Sequence, residues 1–367
     1  MTLPRRVLVT IALLLSLSMS SAAQTSAGLE RDKLERIEKA ISSEMSRQNI
    51  PGLSVAIVAD ARLRWAQGYG LADLENYVPA KSGTVYRLGS ISKPITAIAV
   101  MQLVERGKIE LDAPIQKYCP AFPQKQWPIT TRQLLGHLAG VRHYKSDAEY
   151  GSTAHYNSLV EGLALFKDDP LLHQPGSKYS YSTQGFTLLG CVVEGASGIS
   201  FPDYVRENIF KPADMDRIRV DDLFQIIPNR AQGYFKTQSG ELRNSALADT
   251  SYKIPGGGFC STVEDLAKFA VAVMSGSLVK RETLDQMWTR QKTLDGNSTS
   301  YGLGWGISER NGLKEISHGG AQQRVSTMLY MLPEKGVAVA LMVNLEGAGG
   351  ALNRLARDLA DIVINPK

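Results

Sequence analysis

Apolar residues recur at helical spacing early in the chain, at Leu34, Ile37, Ile41 and Met45, and predict an amphipathic helix over residues 29–49. Pro51-Gly52 ends it. Two short apolar runs follow, Leu53 to Val58 and Leu63 to Tyr69, separated by a polar turn, which predicts an antiparallel hairpin. A second helix is predicted from near Ser90 to about Arg106, carrying Ile95, Ile98, Ala99, Met101, Gln102 and Val104, with Gly107 as its stop.

The texture changes over roughly 116–250, which is richer in proline, loops and short helical pieces and holds most of the aromatic residues. Regular patterning returns after Gly256-Gly257-Gly258. Thr262 to Met274 predicts a helix, with Thr262 as N-cap and Asp265 three residues on, close to a capping box. Glu315 to Gly319, Val325 to Leu332 and Val337 to Asn344 predict strands, Pro333 to Gly336 the last turn, and Ala351 to Ile364 a closing helix. Helix and hairpin first, with hairpin and helix last, predict an α/β (α+β) fold. One antiparallel sheet flanked by helices would be built from both chain ends, about 29–115 and 251–367, around an inserted, mostly helical lobe at about 116–250.

Composition then narrows the setting. Arg5 and Arg6 precede an apolar run from Val7 to Leu15 and a small-residue exit at Ser21-Ala22-Ala23, the pattern of a cleavable export signal over residues 1–23. The run is shorter than the roughly 20 apolar residues that a membrane span needs. The expected location is secreted or periplasmic, without a stable membrane anchor after cleavage; an uncleaved anchor is the rival reading. The formal charge of +5 falls to +3 once Arg5 and Arg6 are removed. The basic residues are scattered, so no nucleic-acid surface is expected. Cys119, Cys191 and Cys260 allow at most one internal disulfide, and apolar packing is the expected use of all three.

Chemistry is suggested by Ser90 and Lys93, three residues apart on one helical face at a helix start. A serine hydroxyl needs a neighbouring base, and a lysine serves only if its pKa falls by roughly three units. Ser-x-x-Lys alone is weak evidence, since Ser277 and Lys280 repeat it. Ser90 differs in opening a long apolar helix after Tyr86-Arg87-Leu88-Gly89, whereas Ser277 trails a helix. No zinc-ligand spacing and no Gly-x-Ser-x-Gly elbow occurs, and no metal or other cofactor is expected. His137, His143, His155 and His173 read as structural or surface residues.

Gly89-Ser90-Ile91-Ser92-Lys93-Pro94 resembles the first motif of the serine β-lactamase and penicillin-binding-protein superfamily, and most of all its class C β-lactamase-related branch. Residues 129–140, Pro175 to Thr183, Gly256-Gly257-Gly258 and His318-Gly319-Gly320 resemble later segments of that family, in its order. Gly140-Val141-Arg142-His143-Tyr144 and Tyr181-Ser182-Thr183 resemble the family of the mitochondrial serine β-lactamase-like protein of animals. The resemblance implies a β-lactamase/transpeptidase-like fold and an acyl-enzyme on Ser90, with Lys93 and Tyr181 sharing proton transfer. It implies an oxyanion site from the backbone N–H groups of Ser90 and Ala321, beside Gly319 and Gly320. A cationic neighbour such as Lys93 would be needed to give Tyr181 phenolate character.

Two residues depart from the family pattern. Thr183 replaces an asparagine, and His318 replaces a lysine, so that the charge expected to meet a substrate carboxylate becomes partial and pH-dependent. The expected function is therefore an exported serine hydrolase of amide, peptide or ester bonds rather than a proficient β-lactamase. A peptidase, D-alanyl carboxypeptidase or esterase is expected, with peptide substrates including those of peptidoglycan. The alternative is a protein on the same fold that assembles into filaments or senses β-lactams without turnover. A homo-oligomer is allowed by either.

Overall fold

The computed structural model describes residues 28–365; the segment read as an export signal lies outside the described residues. Helix α1 (Arg31–Gln48) ends on Asn49 in the left-handed conformation, φ 48°, a common helix stop. Strands β1 (Gly52–Ala59) and β2 (Arg62–Asp73) form the expected hairpin. Its turn residues Asp60 and Ala61 both have positive φ, the geometry that matches the twist of paired strands. Strands β3 (Val78–Pro79) and β4 (Tyr86–Arg87) follow. A 3-10 turn, Gly89–Ile91, then leads into α2 (Ser92–Glu105).

The middle block holds short helices, α3 (Thr131–Leu135), α4 (Asp147–Tyr150) and α5 (Leu159–Leu163), the longer α6 (Thr183–Ser197), and α7 (Phe201–Val205). It also contains three small strands, β5 (Arg219–Val220), β6 (Tyr234–Lys236) and β7 (Leu242–Asn244). The chain returns through α8 (Ile254–Gly257), β8 (Phe259–Ser261), α9 (Val263–Met274) and α10 (Arg281–Met287). It closes with β9 (Gly306–Arg310), β10 (Leu313–Gln322), β11 (Val325–Leu332), β12 (Val337–Val343) and α11 (Gly349–Ile364).

Both chain ends meet in one seven-stranded sheet of order β3-β2-β1-β12-β11-β10-β9, with β1 antiparallel to β12 in the register Leu53↔Val343. The two faces of β12 explain its unbroken apolar sequence. Val339, Leu341 and Val343 pack with Ile37, Leu352 and Leu355 of α1 and α11. Ala338, Ala340 and Met342 belong to the opposite core, with Phe269 and Val273 of α9. A strand covered on both faces shows no polar alternation. The same burial applies to α2, in which every residue from Ser92 to Leu103 is buried. Among the described residues no helix is long and apolar enough to cross a membrane.

Two local expectations are corrected. Thr262 caps α9 by accepting from the Asp265 N–H at 3.2 Å, but the Asp265 carboxylate does not return the bond. It accepts instead from the Arg217 and Ile218 N–H groups, at 2.6 and 2.9 Å, and so ties α9 to the middle block. Cys119 and Cys191 are not merely packed; they form a disulfide with 5.5 Å between their Cα atoms, and only Cys260 remains a buried thiol. The bridge closes a loop of 72 residues in sequence separation within the middle block. Replacing both cysteines by serine is expected to lower unfolding stability by about 2–4 kcal/mol. Urea unfolding of the oxidised wild type and the double variant measures it; equal midpoints would show that the bridge carries no stability.

Candidate active site

The turn that presents Ser90 is pressed between two strands. The Leu88 N–H donates to Phe259 O at 2.8 Å, and Thr327 Oγ1 of β11 donates to Leu88 O at 2.8 Å. Glycine is required on both sides of this contact. Gly89 has φ +53°, and a Cβ on Gly320 would lie 2.1 Å from Leu88 O. The nucleophile turn and β10 therefore approach backbone to backbone. Strand β9 pairs with β10 only as far as Ser317↔Gly306, so the edge of β10 from His318 to Gln322 has no ladder partner on that side.

Ser90, half-buried, opens onto a cleft of about 930 Å³. Tyr181, Thr183, His318, Gly319, Gly320 and Ala321 line the same cleft, so the structure brings every predicted site residue except Lys93 to its wall. Lys93 lies directly behind the wall and is fully buried. Its Nζ is 3.1 Å from Ser90 Oγ, 3.1 Å from Thr183 Oγ1 and 2.6 Å from Gly256 O. Burial, reinforced by the charge of Lys253, pushes the Lys93 pKa well below the usual lysine range. A neutral amine has two N–H donors and one lone pair. Gly256 O can only accept and Thr183 Oγ1 takes the second N–H, which leaves the lone pair for the Ser90 hydroxyl.

Tyr181 stands against Ser90 and lies under Lys93, 4.8 Å from Nζ to its ring centre. Burial pushes its phenol well above the ordinary range, more than its hydrogen bond with Ser90 pulls it down. Burial disfavours the charged form of both groups, the ammonium of Lys93 and the phenolate of Tyr181, so the two shifts run against the phenolate expected beside a cation. Two histidines hold this segment in place. His137 Nδ1 accepts from the Ser182 N–H and His143 Nδ1 from the Thr183 N–H, each at 3.1 Å. The His137 ring lies 4.3 Å from that of Tyr181. His137 is buried behind this segment, whereas His143 both holds it and lines the cleft. His155 instead pairs with Asp249, and His173 sits on a loop against Gln174 O.

His318 also departs from expectation. Burial, the largest cause, pushes its pKa down to about 3 despite the bond to Gly319 O. Nδ1 lies 2.7 Å from Gly319 O and Nε2 lies 2.8 Å from the Tyr301 hydroxyl. A carbonyl cannot donate, so Nδ1 carries the hydrogen and Nε2 accepts from Tyr301. His318 is a neutral, oriented ring and not a partly charged carboxylate receptor.

Tyr144, Tyr150 and Lys145 also line the cleft, and Tyr301 acts on it through His318. Tyr144 belongs to the segment Gly140 to Tyr144, whose likeness to relatives was its available signal. Tyr150 and Tyr301 had none beyond being tyrosines. The second Ser-x-x-Lys copy lies elsewhere: Ser277 donates to Ala272 O at 3.0 Å, and both it and Lys280 are exposed. Among the described residues no group of three or more His, Cys, Asp or Glu is placed to hold a metal ion.

A serine beside a buried lysine, next to an antiparallel sheet flanked by helices, defines a serine hydrolase of the β-lactamase and penicillin-binding-protein superfamily. The family comparison agrees: the Beta-lactamase family model matches residues 37–363, and the chain belongs to that family. The human protein "Serine beta-lactamase-like protein LACTB, mitochondrial" is 31% identical, over 90% of this chain and 78% of its own length. Among solved structures, the octameric penicillin-binding protein homologue from Pyrococcus abyssi superposes with a TM-score of 0.78 and 27% identity, over 90% of this chain and 77% of its own. The D-amino acid amidase from Ochrobactrum anthropi SV3 shares the fold, with a TM-score of 0.77 and 22% identity, over 90% of this chain and 98% of its own.

Proposed function

We propose that the protein hydrolyses amide, peptide or ester bonds through an acyl-enzyme on Ser90, and that its preferred substrates do not present a carboxylate to β10. The observation that carries the chemistry is the fully buried Lys93, whose Nζ lies 3.1 Å from Ser90 Oγ and whose pKa burial pushes well below the usual range. Ser90 Oγ attacks the carbonyl carbon and its proton passes to Lys93 Nζ. The carbonyl oxygen is held by the backbone N–H groups of Ser90 and Ala321, and Tyr181 hands a proton to the departing amine or alcohol, taking in return the one that Lys93 received from Ser90. Water then cleaves the ester and restores Ser90. The open edge of β10 suits an extended chain laid beside Gly319 and Gly320.

The neutral His318 supports the substrate preference. A carboxypeptidase or proficient β-lactamase needs a cation for the substrate carboxylate, and this wall supplies only a hydrogen-bonded imidazole. Lys145 is exposed to solvent, where its charge is screened. An amidase, peptidase or esterase acting on neutral-ended groups fits better. Export is supported by the basic start with its short apolar run and by the Cys119–Cys191 bridge, which suits an oxidising compartment. Assembly does not compete with turnover in this reading, since the Pyrococcus abyssi homologue is described as octameric.

The test is covalent labelling with a fluorophosphonate, followed by mass analysis of the modified peptide and a substrate panel. Ser90 is expected to carry the label, with Ser277→Ala labelling like wild type. Neutral esters and amides are expected to turn over faster than matched substrates ending in a free carboxylate. No label on Ser90 sinks the acyl-enzyme, and faster carboxylate substrates sink the preference. A Ser90 label without turnover of any substrate leaves the sensor reading in its place.

A further inference from the structure

His318 meets the cleft with both of its nitrogens already taken. Nδ1 lies 2.7 Å from Gly319 O and Nε2 lies 2.8 Å from the Tyr301 hydroxyl, yet the residue stands in the cleft wall. It is the first residue of β10 beyond the Ser317↔Gly306 pair, where the open edge begins. Tyr301 delivers its hydroxyl from behind this wall. It is 6% exposed, its N–H donates to Thr299 Oγ1 at 3.2 Å, and its carbonyl accepts from the Gln291 N–H at 2.8 Å. Its ring packs 4.7 Å from that of His137 and 6.1 Å from that of Tyr179, and meets the His318 ring edge-on at 86°. The hydroxyl is therefore held against Nε2 by a side chain that does not itself line the cleft.

We infer that Tyr301 is a positioning residue that keeps His318 from binding a substrate carboxylate, and so sets the preference for neutral end groups. The inference rests on the proposed reading of Ser90 as an acylated nucleophile with neutral-ended substrates. An imidazole grips a carboxylate only through an N–H. Gly319 O cannot donate, so Nδ1 carries a hydrogen and gives it there. The other hydrogen that a carboxylate could use would have to sit on Nε2, and that atom faces Tyr301. The Tyr301 O–H satisfies Nε2 without any charge on the ring, and what His318 has left for a substrate is carbon. A carboxylate brought here leaves water for a residue that offers it no hydrogen, whereas a neutral ester or amide loses far less.

Removing the Tyr301 hydroxyl changes this balance for one substrate class only. Nε2 loses its partner in a buried site, which is unfavourable for a polar atom. A substrate carboxylate then supplies the missing partner: Nε2 takes a proton from solvent and donates it to the carboxylate, while Nδ1–H keeps Gly319 O. The charges of ring and carboxylate offset each other. A neutral substrate has no charge to set against a protonated ring and gains nothing. A tyrosine that served only as packing would behave differently, because its loss would loosen the wall for both substrate classes alike.

The test uses two ester substrates that differ only in ending in a free carboxylate or in its amide, with kcat and KM measured for each. In Tyr301→Phe the carboxylate-to-amide ratio of kcat/KM is expected to rise about tenfold or more, the size of a hydrogen bond to a charged group. The gain is expected in KM of the carboxylate substrate rather than in kcat. Tyr179→Phe removes a hydroxyl from the same aromatic cluster, and His318→Leu removes both ring nitrogens; each is expected to leave the ratio within about twofold of wild type. Adding His318→Leu to Tyr301→Phe is expected to abolish the gain, and thermal melts establish that each variant is folded. An unchanged ratio in folded Tyr301→Phe overturns the inference, as does an equal gain in Tyr179→Phe. Should Tyr301→Phe not fold, a severalfold fall of the ratio in His318→Leu overturns it, since His318 would then already serve the carboxylate. A wild type that prefers the carboxylate substrate overturns the neutral-end preference itself, and one that turns over neither overturns the proposed hydrolysis.

Discussion

Lys93→Met is expected to slow fluorophosphonate labelling of Ser90 by about 10²- to 10⁴-fold, the range typical of a positioned general base. Methionine keeps the length and apolar stem of lysine, so the all-buried α2 has little reason to rearrange. What it lacks is the lone pair. The Nδ1 atoms of His137 and His143 already accept backbone N–H groups, and His318 Nε2 lies against the Tyr301 hydroxyl. Tyr181 cannot take the role at neutral pH, because burial keeps its phenol protonated. Measured second-order labelling rates decide the matter. A methionine variant within tenfold of wild type would show that Lys93 is not the base, and Tyr181 would become the candidate.

Glu315→Ala is expected to lower unfolding stability by about 3–5 kcal/mol without touching the cleft. Glu315 lies on β10 three residues before His318 and is fully buried. Its carboxylate accepts from Ser308 Oγ at 2.6 Å, Tyr330 Oη at 2.7 Å, Arg310 Nε at 2.9 Å and Arg357 at 2.7 Å. Arg310 also pairs with Asp361 of α11, so one carboxylate binds β9, β10, β11 and the terminal helix together. Burial alone would raise the Glu315 pKa, but the bonds from Ser308, Tyr330 and Arg310 and the charge of Arg357 outweigh it and hold the group at about 2. A pKa lower in the folded than in the unfolded state contributes stability above about pH 4.5, and that contribution is lost as pH falls toward 2. Urea unfolding of wild type and Glu315→Ala at pH 7 and pH 3 therefore has a signed expectation: the gap narrows in acid. A gap below about 1 kcal/mol at pH 7 would mean that the network contributes little beyond satisfying itself.

Much of the fold was legible before any coordinates, for reasons that particular elements make clear. Helix α1 and helix α11 each bury one stripe against the sheet, so their periodicity survives in the sequence. The β11–β12 hairpin is marked by its turn, Pro333 to Gly336, in which Gly336 takes a left-handed φ of 60°. Helix α2 was legible mainly by length, because it is buried all round and carries no stripe. The disulfide was not legible: Cys119 and Cys191 are distant in sequence, and nothing local brings them together. Asp265 looked like half of a capping box because spacing cannot reveal that Arg217 and Ile218 offer it better donors.

Residue type and spacing by themselves determined that Ser90 and Lys93 share a helical face at the start of α2, and that Tyr181 and His318-Gly319-Gly320 follow in the order of the family. Only the tertiary structure decided their charge states. Full burial of Lys93, with Gly256 O, Thr183 Oγ1 and Ser90 Oγ around its Nζ, pushes its pKa well below the usual range and so favours the neutral amine. Burial makes His318 a neutral ring, oriented by the Tyr301 hydroxyl and Gly319 O, where its type suggested a titrating one. Protonation depends on desolvation and on partners from distant parts of the chain, neither of which exists until those parts have folded together.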